Sequence, residues 1–186
     1  MSLVSDLAAT LDRVVVASRQ QLLLRVATVG ATLGFLWLVP VAGGTPGVIS
    51  VAALLGVAVL AVALPDSSAP LFLVLGLGWL WWGEVPDRSS GWTLLAAALL
   101  LVVHVAATLA CYGPPALRLP GPLLVTWVGR AAVMLACAAL VWVAAGVLTG
   151  LDLPPSAAVV VVALALVAGW VVLLLARLVG RDAARS

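Results

Sequence analysis

Residues 65–90 read PDSSAPLFLVLGLGWLWWGEVPDRSS, and the number of times the chain crosses a bilayer turns on them. The purely apolar part, Leu71–Trp82, is twelve residues long. As a helix it covers roughly 18 Å at 1.5 Å per residue. A crossing needs about 20 apolar residues for about 30 Å of hydrocarbon. The nearest charges are Asp66 and Glu84, so the helix can extend over Ser67–Gly83, 17 residues. That length, about 26 Å, suits a thin or locally pinched bilayer. If it crosses, the chain has six spans; if it re-enters, it has five.

The rest of the chain leaves no doubt about the class. Of 186 residues, 65 % are hydrophobic and only 9 % charged, and the mean hydropathy is +1.30. A soluble domain is about 45–50 % apolar and about 25 % charged. A soluble globule, a disordered chain and a nucleic-acid binder are thereby excluded, leaving an all-α polytopic bundle in the lipid bilayer. Ten of the eleven prolines lie between apolar runs, and only Pro40 lies within one. They separate expected spans at about 22–42, 47–64, 67–83, 93–112, 123–148 and 157–176. These form a transmembrane domain over 22–179, preceded by a cytoplasmic amphipathic helix at 1–21 and followed by a cytoplasmic tail at 180–186.

Arginine placement sets the orientation, because basic residues near span ends favour the cytoplasm. Arg13, Arg19 and Arg25 precede or open the first run, and Arg177, Arg181 and Arg185 follow the last. Both termini therefore belong inside, which requires an even number of spans. With six, eight arginines including Arg118 and Arg130 face the cytoplasm and Arg88 alone faces out. The expected location is a cell membrane, multi-pass. The acidic residues Asp6 and Asp12 before the first run are unlike a signal peptide, so that run is expected to stay as an uncleaved span. Trp79, Trp81, Trp82 and Trp92 cluster about the outer loop at the depth of an aromatic belt, with Trp127 at the inner mouth of span five. Gly30/Gly34, Ala52/Gly56 and Ala165/Gly169 have the small-xxx-small spacing that allows close helix approach.

Chemistry-bearing residues are few. His104, the only histidine, falls in mid-span four, and an ionisable group at that depth is a functional candidate by default. Its expected companions are Thr108, one turn away, and Cys137 at similar depth in span five. A neutral imidazole bonded to a main-chain carbonyl or to Thr108 is the plainer reading. Arg130 lies about two turns into the fifth run. It either snorkels to the interface or pairs with Asp66, which six spans put on the same side. Thr28, Thr32 and Thr108 read as helix glue, and Glu84, Asp87 and Arg88 as a solvated outer loop. Cys111 and Cys137 sit in apolar runs with no metal-ligand spacing. No catalytic constellation, cofactor or metal is expected.

Two segments outside the spans could meet a protein partner. Residues 3–15 put Leu3, Val4, Leu7, Leu11, Val14 and Val15 on one helical face with nearly balanced charge on the other. Residues 113–122, GPPALRLPGP, form a loop stiffened by four prolines. These point to an anchoring or interaction subunit without catalysis. The alternative is a small transporter or channel component using His104 and a third segment made discontinuous by Gly76 and Gly78.

PDSSAPL at Pro65–Leu71, the VP at Val85–Pro86 after the tryptophans, and HVAATLACYGPPALRLP from His104 to Pro120 resemble parts of uncharacterised actinobacterial membrane proteins. Those are encoded near MoxR-type ATPases and their von Willebrand factor A-like partners. The resemblance covers about residues 60–145 and implies a role beside a cytoplasmic ATPase system, with no catalytic residue carried over. Nine arginines with no lysine or asparagine fit the high-GC coding of such a source.

The N-terminal segment yields a test. Its face Leu3–Leu7–Leu11–Val14 spans about three turns, too short to order alone in water. Leu11→Asp is expected to leave membrane insertion normal while a partner that co-purifies with the parent protein is lost. Membrane fractionation and a gentle-detergent pull-down read the two effects. Defective insertion would make the segment part of the fold, and unchanged co-purification would shift docking to 113–122.

Overall fold

A computed structural model describes residues 18–112 and 119–149, together with the helical positions 159, 162, 166, 169 and 170. Expectations for residues 1–17, for 113–118 of the proline-rich loop and for most of span six fall outside the described residues. The described chain is all helical, with no strand. Its five helices are α1 (Arg19–Val41), α2 (Val48–Ala63), α3 (Ala69–Glu84), α4 (Trp92–Ala110) and α5 (Gly121–Thr149). Of these, α1, α4 and α5 are long and apolar enough to cross a membrane, which marks this as a membrane protein. The 16-residue α2 and α3 are each about 24 Å long.

Local chemistry explains the helix ends. Ser18 caps α1, its hydroxyl oxygen accepting from the Gln21 N–H at 3.3 Å. Pro40 sits in the last turn of α1, where it removes one donor from the helix ladder, and the chain turns out of the helix through Gly43 at φ +86°. The Gly43 N–H donates to the Pro40 carbonyl at 3.0 Å, and that of Gly44 to Val39 at 2.9 Å. Gly44 is demanded by space: a Cβ there would lie 2.8 Å from Val39 Cγ1 and 3.1 Å from the Glu84 carbonyl. The α1–α2 turn thus closes onto the end of α3. Val85 is extended and buried, as the residue before Pro86 must be to avoid its ring.

The chain divides into two compact units, residues 1–131 and 132–186. In the first, α1 runs antiparallel to α4 along its length and α2 runs antiparallel to α3, with α3 also against α4 and α2 also against α1. Phe35, Leu38, Val39, Leu73, Leu77 and Val103 fill the centre, each almost fully buried. The second unit contains the rest of α5 and the helical positions between 159 and 170.

Several expectations change. The break at Gly76 and Gly78 is absent, and α3 is one uninterrupted helix. Gly76 instead marks the approach of α3 to α2: a Cβ there would meet Leu54 Cδ2 at 2.6 Å. Of the small-residue pairs, Gly34 packs against Leu99 of α4, but Gly30 and Gly56 face open space, as does Gly169 in the second unit. The tryptophan group divides as well. Trp79, Trp82 and Trp92 are exposed, whereas Trp81 is buried edge-on to Phe35 at 5.7 Å. A single residue, about 100° around the helix, separates the exposed Trp82 from the buried Trp81.

The loop between α3 and α4 carries its own hydrogen bonds. Arg88 donates to the Trp82 carbonyl at 2.6 Å and stands over the Trp82 ring at 4.3 Å. Asp87 accepts from both the hydroxyl and the N–H of Ser89, bonds that hold its carboxyl below the usual range.

Gly76 is the sharpest packing constraint. Gly76→Val should cost about 1–3 kcal/mol by overpacking against Leu54. Adding Leu54→Ala should recover part of that loss, as read by thermal unfolding in a mild detergent. A fully tolerated Gly76→Val would mean that α2 and α3 do not approach as described.

Candidate functional site

Among the described residues, the buried polar side chains of the first unit run along α1 from the end where α1 begins, α4 ends and the α2–α3 turn lies. Gln21, Arg25, Thr28 and Thr32 are the buried polar residues, all on α1 at helical spacing of four, three and four. This stripe is turned inward. The Gln21 amide donates to the Ala110 carbonyl at 3.4 Å, taking up one of the acceptors left open at the C-terminus of α4. Gln20 reaches the other way, its Oε1 accepting from the Leu119 N–H at 2.9 Å. That bond anchors the far end of the proline-rich loop to the first turn of α1.

At the edge of the same end, the Cys111 Sγ lies 2.8 Å from the Pro65 carbonyl and 3.2 Å from that of Ala107, two acceptors for its single proton. This ties the α2–α3 turn to the end of α4. Tyr112 meets Trp127 edge-on at 5.9 Å, and the Arg130 guanidinium stands over that indole at 5.5 Å. An aromatic pair beside exposed arginine suits the headgroup level of a bilayer.

Thr28 and Thr32 do not bridge helices. Their hydroxyls donate to carbonyls one turn back in α1, Leu24 at 3.0 Å and Thr28 at 2.8 Å. Thr108 does the same to the His104 carbonyl at 2.7 Å. A hydroxyl in an apolar setting satisfies itself on its own helix at no cost to packing.

The expected site residues are not assembled. His104 is exposed on α4, and the Thr108 bond reaches its main chain and leaves the imidazole aside. Cys137 belongs to the second unit. Asp66 is exposed in the α2–α3 turn, while Arg130 is exposed and engaged with Trp127. Among the described residues no ion pair joins Arg130 to Asp66, and no three His, Cys, Asp or Glu side chains gather to hold a metal ion.

Arg25 was counted above only for topology, yet it is the unusual group of this site. It is 8 % exposed, and its Nε is fully buried with no hydrogen-bond partner. The signal available in sequence was the spacing Gln21–Arg25–Thr28–Thr32, a polar stripe in an otherwise apolar run. Comparison with family models, curated proteins and solved structures finds no match to this chain.

The Gln20 bond gives this site its test. Gln20→Leu would leave the Leu119 N–H without its acceptor, costing about 1 kcal/mol. Amide hydrogen exchange should then quicken at Leu119 while α2 and α3 keep their protection. Unchanged exchange at Leu119 would show that the loop is held by other contacts.

Proposed function

We propose that this protein is a six-span membrane subunit, with both termini cytoplasmic, that anchors or recruits other proteins and carries no chemistry of its own. The observation that carries this reading is the Gln20–Leu119 bond. It joins the root of the N-terminal segment to the root of the proline-rich loop. The described residues that border the two stretches with docking character in the sequence, Gln20 and Leu119, are therefore in contact. A partner touching one is within reach of the other.

The six-span count draws on packing. The short α2 and α3 share one core with α1 and α4, through Leu54, Leu73 and Leu77 beside Phe35 and Val103. Helices packed side by side in that way occupy the same depth, so the bilayer that takes α1 and α4 takes them too. Mismatch at about 24 Å is met by modest local thinning. An unbroken α3 favours crossing over re-entry. The abundance of exposed large apolar side chains, Ile49, Leu23, Trp37 and Val125 among them, suits contact with lipid.

The transport alternative draws on His104 and on a broken third helix. Its support is weaker with α3 continuous and the centre of the bundle filled by apolar side chains. The resemblance of residues 60–145 to membrane proteins encoded near MoxR-type ATPases points to the class of partner, a cytoplasmic ATPase or its von Willebrand factor A-like companion. With the arginine-rich ends inside, the joined docking segments face that compartment.

Reporter fusions test the topology and a pull-down tests the role. A fusion at Ser186 should be active only with a cytoplasmic reporter, and one after Arg88 only with a periplasmic reporter. A periplasm-active reporter at Ser186 would overturn six spans. Transport by the purified protein in proteoliposomes, lost on His104→Ala, would overturn the anchoring role.

A further inference from the structure

Arg25 lies six residues into α1 from Arg19, about 9 Å along the helix axis, and is 8 % exposed. Yet its Nε donates to nothing, and no carboxylate pairs with it among the described residues. A buried cation without a counter-charge is strongly unfavourable, so such groups are found paired. Arg19 and Arg130 are exposed, whereas Arg25, one turn on from Gln21, is buried at its Nε.

The surroundings limit what the missing anion can be. Among the described residues, the other charged groups at this end are Arg19, Arg130 and Asp66, all exposed. The described balance is therefore three cations to one anion. Tyr112, Trp127 and Arg130 put headgroup-level chemistry at the same end. An unoccupied guanidinium edge matches two oxygens of a phosphate, and basic pockets between membrane helices take phosphate headgroups for this reason.

We propose that Arg25 is the anchor of a phosphate-binding site at the α1–α4 end of the first unit. It is filled by the phosphate of an anionic phospholipid or by free phosphate. Gln21, already bonded to Ala110, holds the helix turn that aims the guanidinium. The site does not depend on which side of the membrane this end faces, nor on the anchoring role.

The test uses the full chain in neutral detergent, with thermal unfolding followed during titration of dioleoylphosphatidylglycerol, dioleoylphosphatidylcholine or inorganic phosphate. Phosphatidylglycerol or inorganic phosphate should raise the unfolding midpoint of the parent protein saturably, with the zwitterionic lipid much weaker. A response to the lipid alone assigns the headgroup; one to inorganic phosphate at comparable occupancy assigns the free anion. Arg25→Leu removes an uncompensated buried charge, so it should fold, and its apparent affinity should fall by about tenfold or more. Arg25→Lys, which keeps the charge and loses the two-pronged edge, should fall in between and decides the matter if the leucine variant fails to fold. No response from the parent protein, or an undiminished response in the variants, overturns the site. So does a destabilisation by Asp6→Asn with Asp12→Asn that disappears in the Arg25→Leu background, since Arg25 would then serve the chain's own carboxylate.

Discussion

The antiparallel contact of α1 with α4 is the constraint on which the first unit depends. At one end Gln21 bonds to Ala110, and further along Gly34 takes up Leu99 against the helix backbone. Those two points set the register of the pair. Along the pair, Phe35, Leu38 and Val39 of α1 and Val103, Ala106 and Ala107 of α4 are all buried. Lipid is as apolar as leucine, so burial of apolar area does not drive such a contact. Close van der Waals fit and the few internal hydrogen bonds must do so. The small side chains on α4 permit that fit.

The α2–α3 hairpin is fastened to this pair at both ends. At one, Gly43 and Gly44 let the α1–α2 turn close on Pro86 and the Glu84 carbonyl. At the other, the Cys111 thiol holds the Pro65 carbonyl. Helices too short to cross a full bilayer thereby acquire fixed positions beside longer ones. The middle of the hairpin is close-packed through Gly76 and Leu54. Its outward side carries Trp79 and Trp82, and its inward side Trp81 against Phe35.

Among the described residues, polar groups in this unit follow one rule, with two exceptions. Hydroxyls return to their own helix carbonyls, glutamines cap or join chain ends, and the charged loop residues Asp87 and Arg88 bond within their own turn. Each arrangement answers the demand that polar atoms in an apolar medium find partners inside the protein. Arg25 Nε and Trp81 Nε1 break the rule, each buried with no hydrogen-bond partner.

Apolar length and proline spacing are local properties, and they were enough to identify the membrane class and the positions of the described helices. The end of α3 at Val85–Pro86 and the cap at Ser18 are equally local, since each follows from the chemistry of two or three neighbouring residues. The inward face of each helix was a different matter. Where core and lipid are both apolar, an all-apolar helix shows no contrast between its sides, and the periodicity that betrays a soluble helix's buried face is missing. Trp81 and Trp82, or Gly30 and Gly34, are therefore equivalent in sequence and differently surrounded in the fold. Arg25 and Arg130 are both arginines near span starts, yet one is buried and unpaired and the other exposed over an indole. Only the packing of α1 on α4 decided between them, because it alone determines which side of α1 has protein, and not lipid or water, beside it.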